Sequence, residues 1–258
     1  MSADDRKTSH FKRGQVALRR CGPLFQISYP DRKTGAFPMV YTKENAIRIV
    51  VSCAEAFQNE LDGKSLLFIM VNKHKHASCI EFSFYGYNYL HLTGLKVKRM
   101  NNNSEQDGAG SGVVAANDFY HRCLKHKLSA SDFEFAEDGT THLKLDILPS
   151  VINKNLSANM IGDYDSLQPR LYTEKLAGNV HGCIGFVVDK NSGQYVPNTV
   201  LKEDIRNCSS NARRIIAIYR KTSDAEKYKE ITYLAKNVDW NLIKYPEEYK
   251  YLETFSKG

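Results

Sequence analysis

The chain has 258 residues, 42% of them hydrophobic, 25% charged and 11% aromatic, with only 7 prolines. This makeup excludes fibrous and wholly disordered chains and supplies the apolar material for one large domain or a domain with a smaller lobe. No apolar run approaches the ~20 residues of a membrane-crossing helix, and 36 Lys and Arg against 29 Asp and Glu leave a net charge of +7, which favours polyanionic partners.

The first residues, MSADDRKTSHFKR, lack the apolar centre of a secretion signal, so a cytoplasmic protein is expected. The six cysteines (Cys21, Cys53, Cys79, Cys123, Cys183 and Cys208) contain no C-x-x-C pair and read as reduced thiols rather than a disulfide frame. Residues 1–40 mix charges, Gly and Pro and read as an extended arm. Ala46, Val50, Cys53, Ala54, Phe57 and Leu61 then recur at helical spacing, between Thr42 as a possible N-cap and Gly63 as a stop. A strand LLFIMV follows, and after it a long strand over residues 80–93. Ile80, Phe82 and Phe84 mark one face of that strand, and Tyr85, Tyr87, Tyr89, His91 and Thr93 the other, with Gly86 as a possible bulge.

Residues 101–112, NNNSEQDGAGSG, read as a mobile loop. Asn117 is placed to cap a helix to about residue 126, with Phe119, Tyr120, Cys123 and Leu124 inward and His121, Arg122, Lys125 and His126 as a basic outer stripe. THLKLDIL alternates, Leu143, Leu145 and Ile147 against His142, Lys144 and Asp146, as a half-buried strand does. Strands are further expected at residues 171–173, at CIGFVV, around YVPNTVL and at RRIIAIYRK, with a DKNSGQ turn between the second and third and a final helix starting near Asp224. No internal repeat, heptad array or GxGxxG loop is seen, and the element order suggests an α+β fold with a mainly antiparallel sheet.

His74, His76 and Cys79 form a local H-x-H-x-x-C cluster, but Lys73 and Lys75 between them repel a cation, so an exposed turn is the better reading and no metal or other cofactor is expected. No Ser–His–Asp set or HExxH motif stands out. The stronger constellation joins HLTG at residues 91–94, Lys144, and LYTEKLAGNVHG at residues 171–182. Metal-free RNA cleavage needs a base for the 2′-hydroxyl, an acid for the departing 5′-oxygen and a cation for the phosphorane, roles that His, Lys and Thr can fill.

Several short motifs occur in order: HLTG, the pair Phe119 and Tyr120, KLDIL, MIGDY, LYTEKLAGN, the pair Gly185 and Phe186, YVPNTVLKEDIR and IIAIYRK. Over residues 44–221 this series resembles a phage-associated family of the Barnase, EndoU, colicin and RelE-like nuclease group, found in phages and mobile elements of Gram-positive bacteria. The resemblance implies helices packed on a curved, mainly antiparallel sheet and a metal-independent, toxin-like endoribonuclease whose site lies on the open face of the sheet. It divides the chain into an arm (1–40), a nuclease-type domain (41–222) and a C-terminal helical extension (223–258). Carried over by motif, His91 is the base or acid, Lys144 or Lys175 stabilises the phosphorane, Thr173 donates to phosphate, and Thr93 comes with HLTG. His181 is a spare proton carrier, and Tyr89, Tyr120, Arg122 and Lys125 are expected along the RNA. RNA is the implied partner, with an antitoxin, immunity or host-defence protein as a second. The 101–112 insertion and the His121/His126 pair depart from the pattern.

Two other readings share these residues. An H-x-T at a strand end also resembles the opening of ADP-ribosyltransferase toxins, where Glu174 or Glu203 would act as the catalytic acid on NAD. A catalytically silent protein would instead use the basic helix and the tyrosine row to bind RNA or a protein inhibitor or regulator.

Overall fold

The structure is a computed structural model that describes residues 41–98, 110–165 and 171–254. The expected N-terminal arm, Cys21 and most of the 101–112 loop lie outside the described residues. The first helix, α1 (Lys43–Glu60), is capped as its sequence suggests: the Thr42 hydroxyl accepts from the Asn45 N–H at 3.2 Å, and Ala46, Val50, Cys53, Ala54 and Phe57 are buried along one stripe. Gly63 lies at φ +66° beyond its end, a backbone conformation that favours glycine.

Strands β1 (Lys64–Val71) and β2 (Ala77–Phe84) form a hairpin. The expected long strand stops there. Asn88 Oδ1 accepts from the Tyr85 N–H at 3.1 Å, and the chain enters a short 3-10 turn and then α2 (Tyr89–Thr93). After β3 (Leu95–Val97) come α3 (Gly110–Leu124), β4 (Phe133–Phe135), paired with β3, and α4 (Thr140–Val151). Helix α3 begins seven residues ahead of Asn117, which sits inside it. Residues 140–151 are helical, which corrects the expected THLKLDIL strand: Thr141, His142, Leu145, Leu148 and Val151 are buried at helical spacing while Leu143 is 45% exposed.

The remaining elements are β5 (Met160–Tyr164), β6 (Lys175–Gly178), β7 (Cys183–Val188), β8 (Tyr195–Leu201), the short α5 (Ile205–Cys208), β9 (Ser209–Thr222) and β10 (Glu230–Leu234). Residues 171–173 precede β6 without being a strand, and the helix expected near Asp224 is replaced by β10 and two 3-10 turns. The fold is α+β. Its main sheet runs β1-β2-β8-β7-β6-β5-β9-β10, and the β1–β9 pairing closes seven strands into a barrel. Among the named strands every ladder is antiparallel except the parallel bridge of Phe82 to Tyr195 between β2 and β8, and a further parallel bridge joins His76 to Lys244.

Alternation along the strands builds two cores. Leu66, Phe68 and Met70 of β1 face a large cluster with α1, α3 and α4, while Leu67 and Ile69 face Tyr228, Ala235, Ile243 and Leu252 of the C-terminal segment. A third, small cluster places Cys183 and Cys208 against Leu176 and Ile205. The five described cysteines are free thiols. No described helix is long and apolar enough to cross a membrane.

Candidate active site

Helix α2 is five residues long, with Tyr89 and Leu92 buried, so His91 is left on the solvent side. It ends at Gly94, which lies in the left-handed region at φ +70°. The start of α4 crosses this cap. The Thr141 hydroxyl donates to the Gly94 carbonyl at 2.7 Å and accepts from the Ala136 N–H at 2.9 Å. One helical turn along, the Lys144 stem passes so close over Gly94 that an added Cβ there would stand 2.7 Å from Lys144 Cδ. The Lys144 ammonium then donates to the His91 carbonyl at 3.1 Å. HLTG and KLDIL, 53 residues apart, therefore meet.

The electrostatics follow from that packing. Desolvation pulls the Lys144 pKa down to about 8, opposed by the charge of Asp138. Asp138 itself is held below the usual carboxylate range by bonds from the Thr140 hydroxyl and N–H, at 2.7 and 3.0 Å. His91 is lowered by desolvation and then by the positive charge of Lys144. At neutral pH the site thus offers an imidazole that is free to accept a proton and an ammonium that yields one readily.

The other expected residues sit elsewhere or have other work. Thr93 is fully buried; its hydroxyl donates to the Leu90 carbonyl at 2.8 Å and accepts from the Leu95 N–H at 3.1 Å, so it closes the end of α2. Thr173 donates to Asn198 Oδ1 at 2.8 Å, beside Gly185 of β7. Lys175 pairs with Asp163 across the β5–β6 ladder; this bond, with one from Asn211, holds Asp163 below its usual pKa. His181 is exposed, its N–H donating to Asn179 Oδ1 at 2.7 Å.

The residues expected along the nucleic acid differ in exposure. The Tyr89 ring is fully buried and its hydroxyl donates to the Val50 carbonyl at 2.5 Å, while Tyr120 is buried and donates to Asp62 at 3.1 Å. The expected tyrosine row does not form, because the chain turns at Gly86; Tyr85 and Tyr87 stack on each other and donate to Gln194 and Asp189 of the β7–β8 connection. On the basic stripe Arg122 is taken by Asp132 at 2.8 Å and His126 by Glu55 at 2.9 Å, leaving His121 and Lys125 exposed. The H-x-T motif lies on a helix, which removes the strand end that the transferase reading required, and Glu174 accepts from the Val188 N–H at 3.2 Å.

One polar network has no sequence signal, because it depends on the helical spacing of α4, which the alternation of THLKLDIL hides. Asp146, one helical turn past His142, accepts from the Tyr41 hydroxyl and from Lys202 at 2.9 Å, while the Tyr41 N–H donates to His142 Nδ1 at 3.2 Å. Burial and Asp146 push Tyr41 up to about 12. Tyr41 also lines a cavity of about 410 Å³ with Asn45, Arg48, Ile49, Cys53 and Pro149, and none of the expected site residues lines it. Among the described residues no group of three or more His, Cys, Asp or Glu is placed to hold a metal ion, and His74 and His76 lie on the exposed β1–β2 turn.

A fold that brings a lysine of lowered pKa onto the backbone of the helix carrying His91 presents two candidate acid–base groups together. The family model for the phage-Barnase-EndoU-ColicinE5/D-RelE like nuclease4 matches residues 49–237, a span from α1 to just beyond β10 that contains His91 and Lys144, and the chain belongs to that nuclease family. No curated protein and no solved structure matches it.

Proposed function

We propose that this nuclease is a metal-independent endoribonuclease that cleaves RNA by attack of a 2′-hydroxyl on the adjacent phosphate. His91 takes the 2′-hydroxyl proton as the O2′–P bond forms. Lys144 neutralises the phosphorane charge and gives its proton to the 5′-oxygen as the P–O5′ bond breaks, leaving a 2′,3′-cyclic phosphate and a 5′-hydroxyl. The observation that carries this reading is the meeting of Lys144 with the HLTG helix, 3.1 Å from the His91 carbonyl, with the Lys144 pKa drawn down to about 8 and His91 held below its ordinary value and so neutral at pH 7. Thr93, Tyr89 and Tyr120 take no part, and Thr173 and Lys175 stay with Asn198 and Asp163. A phage or mobile-element origin, action in the cytoplasm and an antitoxin or immunity protein as partner belong to the same proposal.

The test is incubation of wild-type and His91→Ala protein with total RNA in EDTA, with the product ends mapped. Cleavage by wild type alone, leaving cyclic phosphate ends, supports the proposal. RNA left intact by well-folded wild-type protein overturns it.

A further inference from the structure

Strand β2 leads away from the 3-10 turn and α2 to a second concentration of charge. At its far end the β1–β2 turn is closed by Asn72, whose side chain accepts from the His74 and His76 N–H groups at 2.9 and 3.0 Å. Lys244 is tied to this turn through its backbone, donating to the Lys75 carbonyl and accepting from the Ala77 N–H, both at 2.9 Å. From β9, Arg213 donates to Ser78 Oγ at 2.8 Å, and Arg214 to the Lys236 carbonyl at 3.1 Å.

These bonds gather Lys73, Lys75, Arg213, Arg214, Lys236 and Lys244 at one end of the barrel. All six are exposed, and among the described residues none enters an ion pair. In the adjoining C-terminal segment Glu247 pairs with Lys250 at 3.2 Å and Asp239 accepts from the Asn241 N–H at 3.1 Å, while Glu248 lies near Cys79. Arg213 also acts on Asp163, but six like charges held together by main-chain and side-chain hydrogen bonds, none in an ion pair among the described residues, repel one another and are relieved by a polyanion. The aromatic residues of the segment, Trp240 and Tyr245, pack half-buried on the second core, so the surface offers charge rather than stacking platforms.

We infer that this end of the barrel binds the phosphate backbone of a nucleic acid without sequence preference, as an anchoring surface distinct from the His91 site. The eight residues of β2 separate the two regions by about 26 Å at ~3.3 Å per residue. That distance corresponds to about 8 base pairs of duplex at 3.4 Å each. The inference rests on nucleic acid as the substrate of the family, and not on the chemistry assigned to His91.

Binding is measured by fluorescence anisotropy with a labelled RNA duplex and its single strand, on the full chain carrying His91→Ala so that the probe survives. Lys73→Glu/Lys75→Glu is expected to weaken duplex binding about tenfold or more and to make the salt dependence of log K shallower by about 1.5. A control pair of exposed lysines elsewhere, Lys127→Glu/Lys229→Glu, is expected to change affinity less than about threefold. Equal losses in the two pairs, or an unchanged salt slope in the first, overturn the inference. Cleavage of a very short RNA by otherwise wild-type protein is expected to survive Lys73→Glu/Lys75→Glu. Wild-type protein that binds the duplex through these lysines yet leaves the short RNA uncut would count against the His91 chemistry and leave the anchoring surface standing.

Discussion

The Lys144 ammonium lies 3.1 Å from the carbonyl oxygen of His91, and its stem crosses Gly94, the residue that ends the helix carrying His91. Each member of the pair is thus positioned by the other's element. The ammonium also disfavours the protonated imidazole, since the charge of Lys144 is, after desolvation, a cause that lowers His91.

The cleavage rate should follow a bell-shaped pH profile. Its acid limb lies below the ordinary His value of ~6.5, where His91 becomes protonated and can no longer act as base, and its alkaline limb lies near pH 8, where Lys144 loses its proton. Lys144→Arg keeps a cation that cannot be deprotonated, so the rate should fall about 10²-fold and the alkaline limb should vanish. An alkaline limb unchanged in that variant would show that Lys144 is not the titrating acid.

The same lysine makes a stability prediction with a definite sign. Its folded pKa of about 8 is below the unfolded value, so below pH 8 it is charged in both states and the folded state bears the full desolvation cost. Between about pH 8 and 10.4 the folded lysine sheds its proton first, and the cost is relieved as pH rises. Lys144→Met should therefore stabilise the protein at pH 7 by about 1–2 kcal/mol, with the gain shrinking toward pH 10. Urea unfolding of both proteins at the two pH values measures it.

Gly94→Ala should couple fold and function. An alanine at φ +70° costs about 1 kcal/mol, and its Cβ would displace the Lys144 stem. Unfolding should occur at lower denaturant, and the folded variant should also lose rate, with the KM of a short RNA little changed.

How much of this was legible depended on the period of each segment. Helix α1 has a buried stripe over five turns and a polar cap, and the runs LLFIMV, CIGFVV and IIAIY are strand-length and apolar, so sequence and structure agree there. THLKLDIL misleads because eight residues satisfy alternation and helical spacing alike. The deciding fact, His142 packed between Tyr41 and Phe135, is a tertiary contact. The tyrosine alternation past Phe84 misleads in the same way, since Asn88 turns the chain and Tyr89 joins the core through Phe57 and Tyr120. His91 and Lys144 were both visible as residue types. Their meeting depends on two helices, α2 and α4, whose sequences alternate as strands do.

Thr93 and Tyr89 separate structural from catalytic roles. Thr93→Val removes the acceptor of the buried Leu95 N–H and should cost about 1–3 kcal/mol, while Tyr89→Phe loses one bond to the Val50 carbonyl and should cost about 1 kcal/mol. Below their melting temperatures both should cleave and bind RNA as wild type does, per folded molecule. A selective loss of RNA affinity in Tyr89→Phe would restore that residue to the nucleic-acid interface.

Lys175 is tested through acid stability. Its bond to Asp163 is the largest cause holding that carboxyl below the usual range, so the pair adds stability that is present above the unfolded Asp pKa, about 3.9, and is lost as pH falls through the lower folded value. Asp163 is partly exposed, and solvent screening limits the contribution to about 0.5–1 kcal/mol. Lys175→Met should be less stable than wild type by that amount at pH 7, and the two unfolding curves should converge toward pH 2. If Lys175 instead binds phosphate during the reaction, the same variant raises the KM for RNA at pH 7, and steady-state kinetics beside the unfolding curves tell the two roles apart.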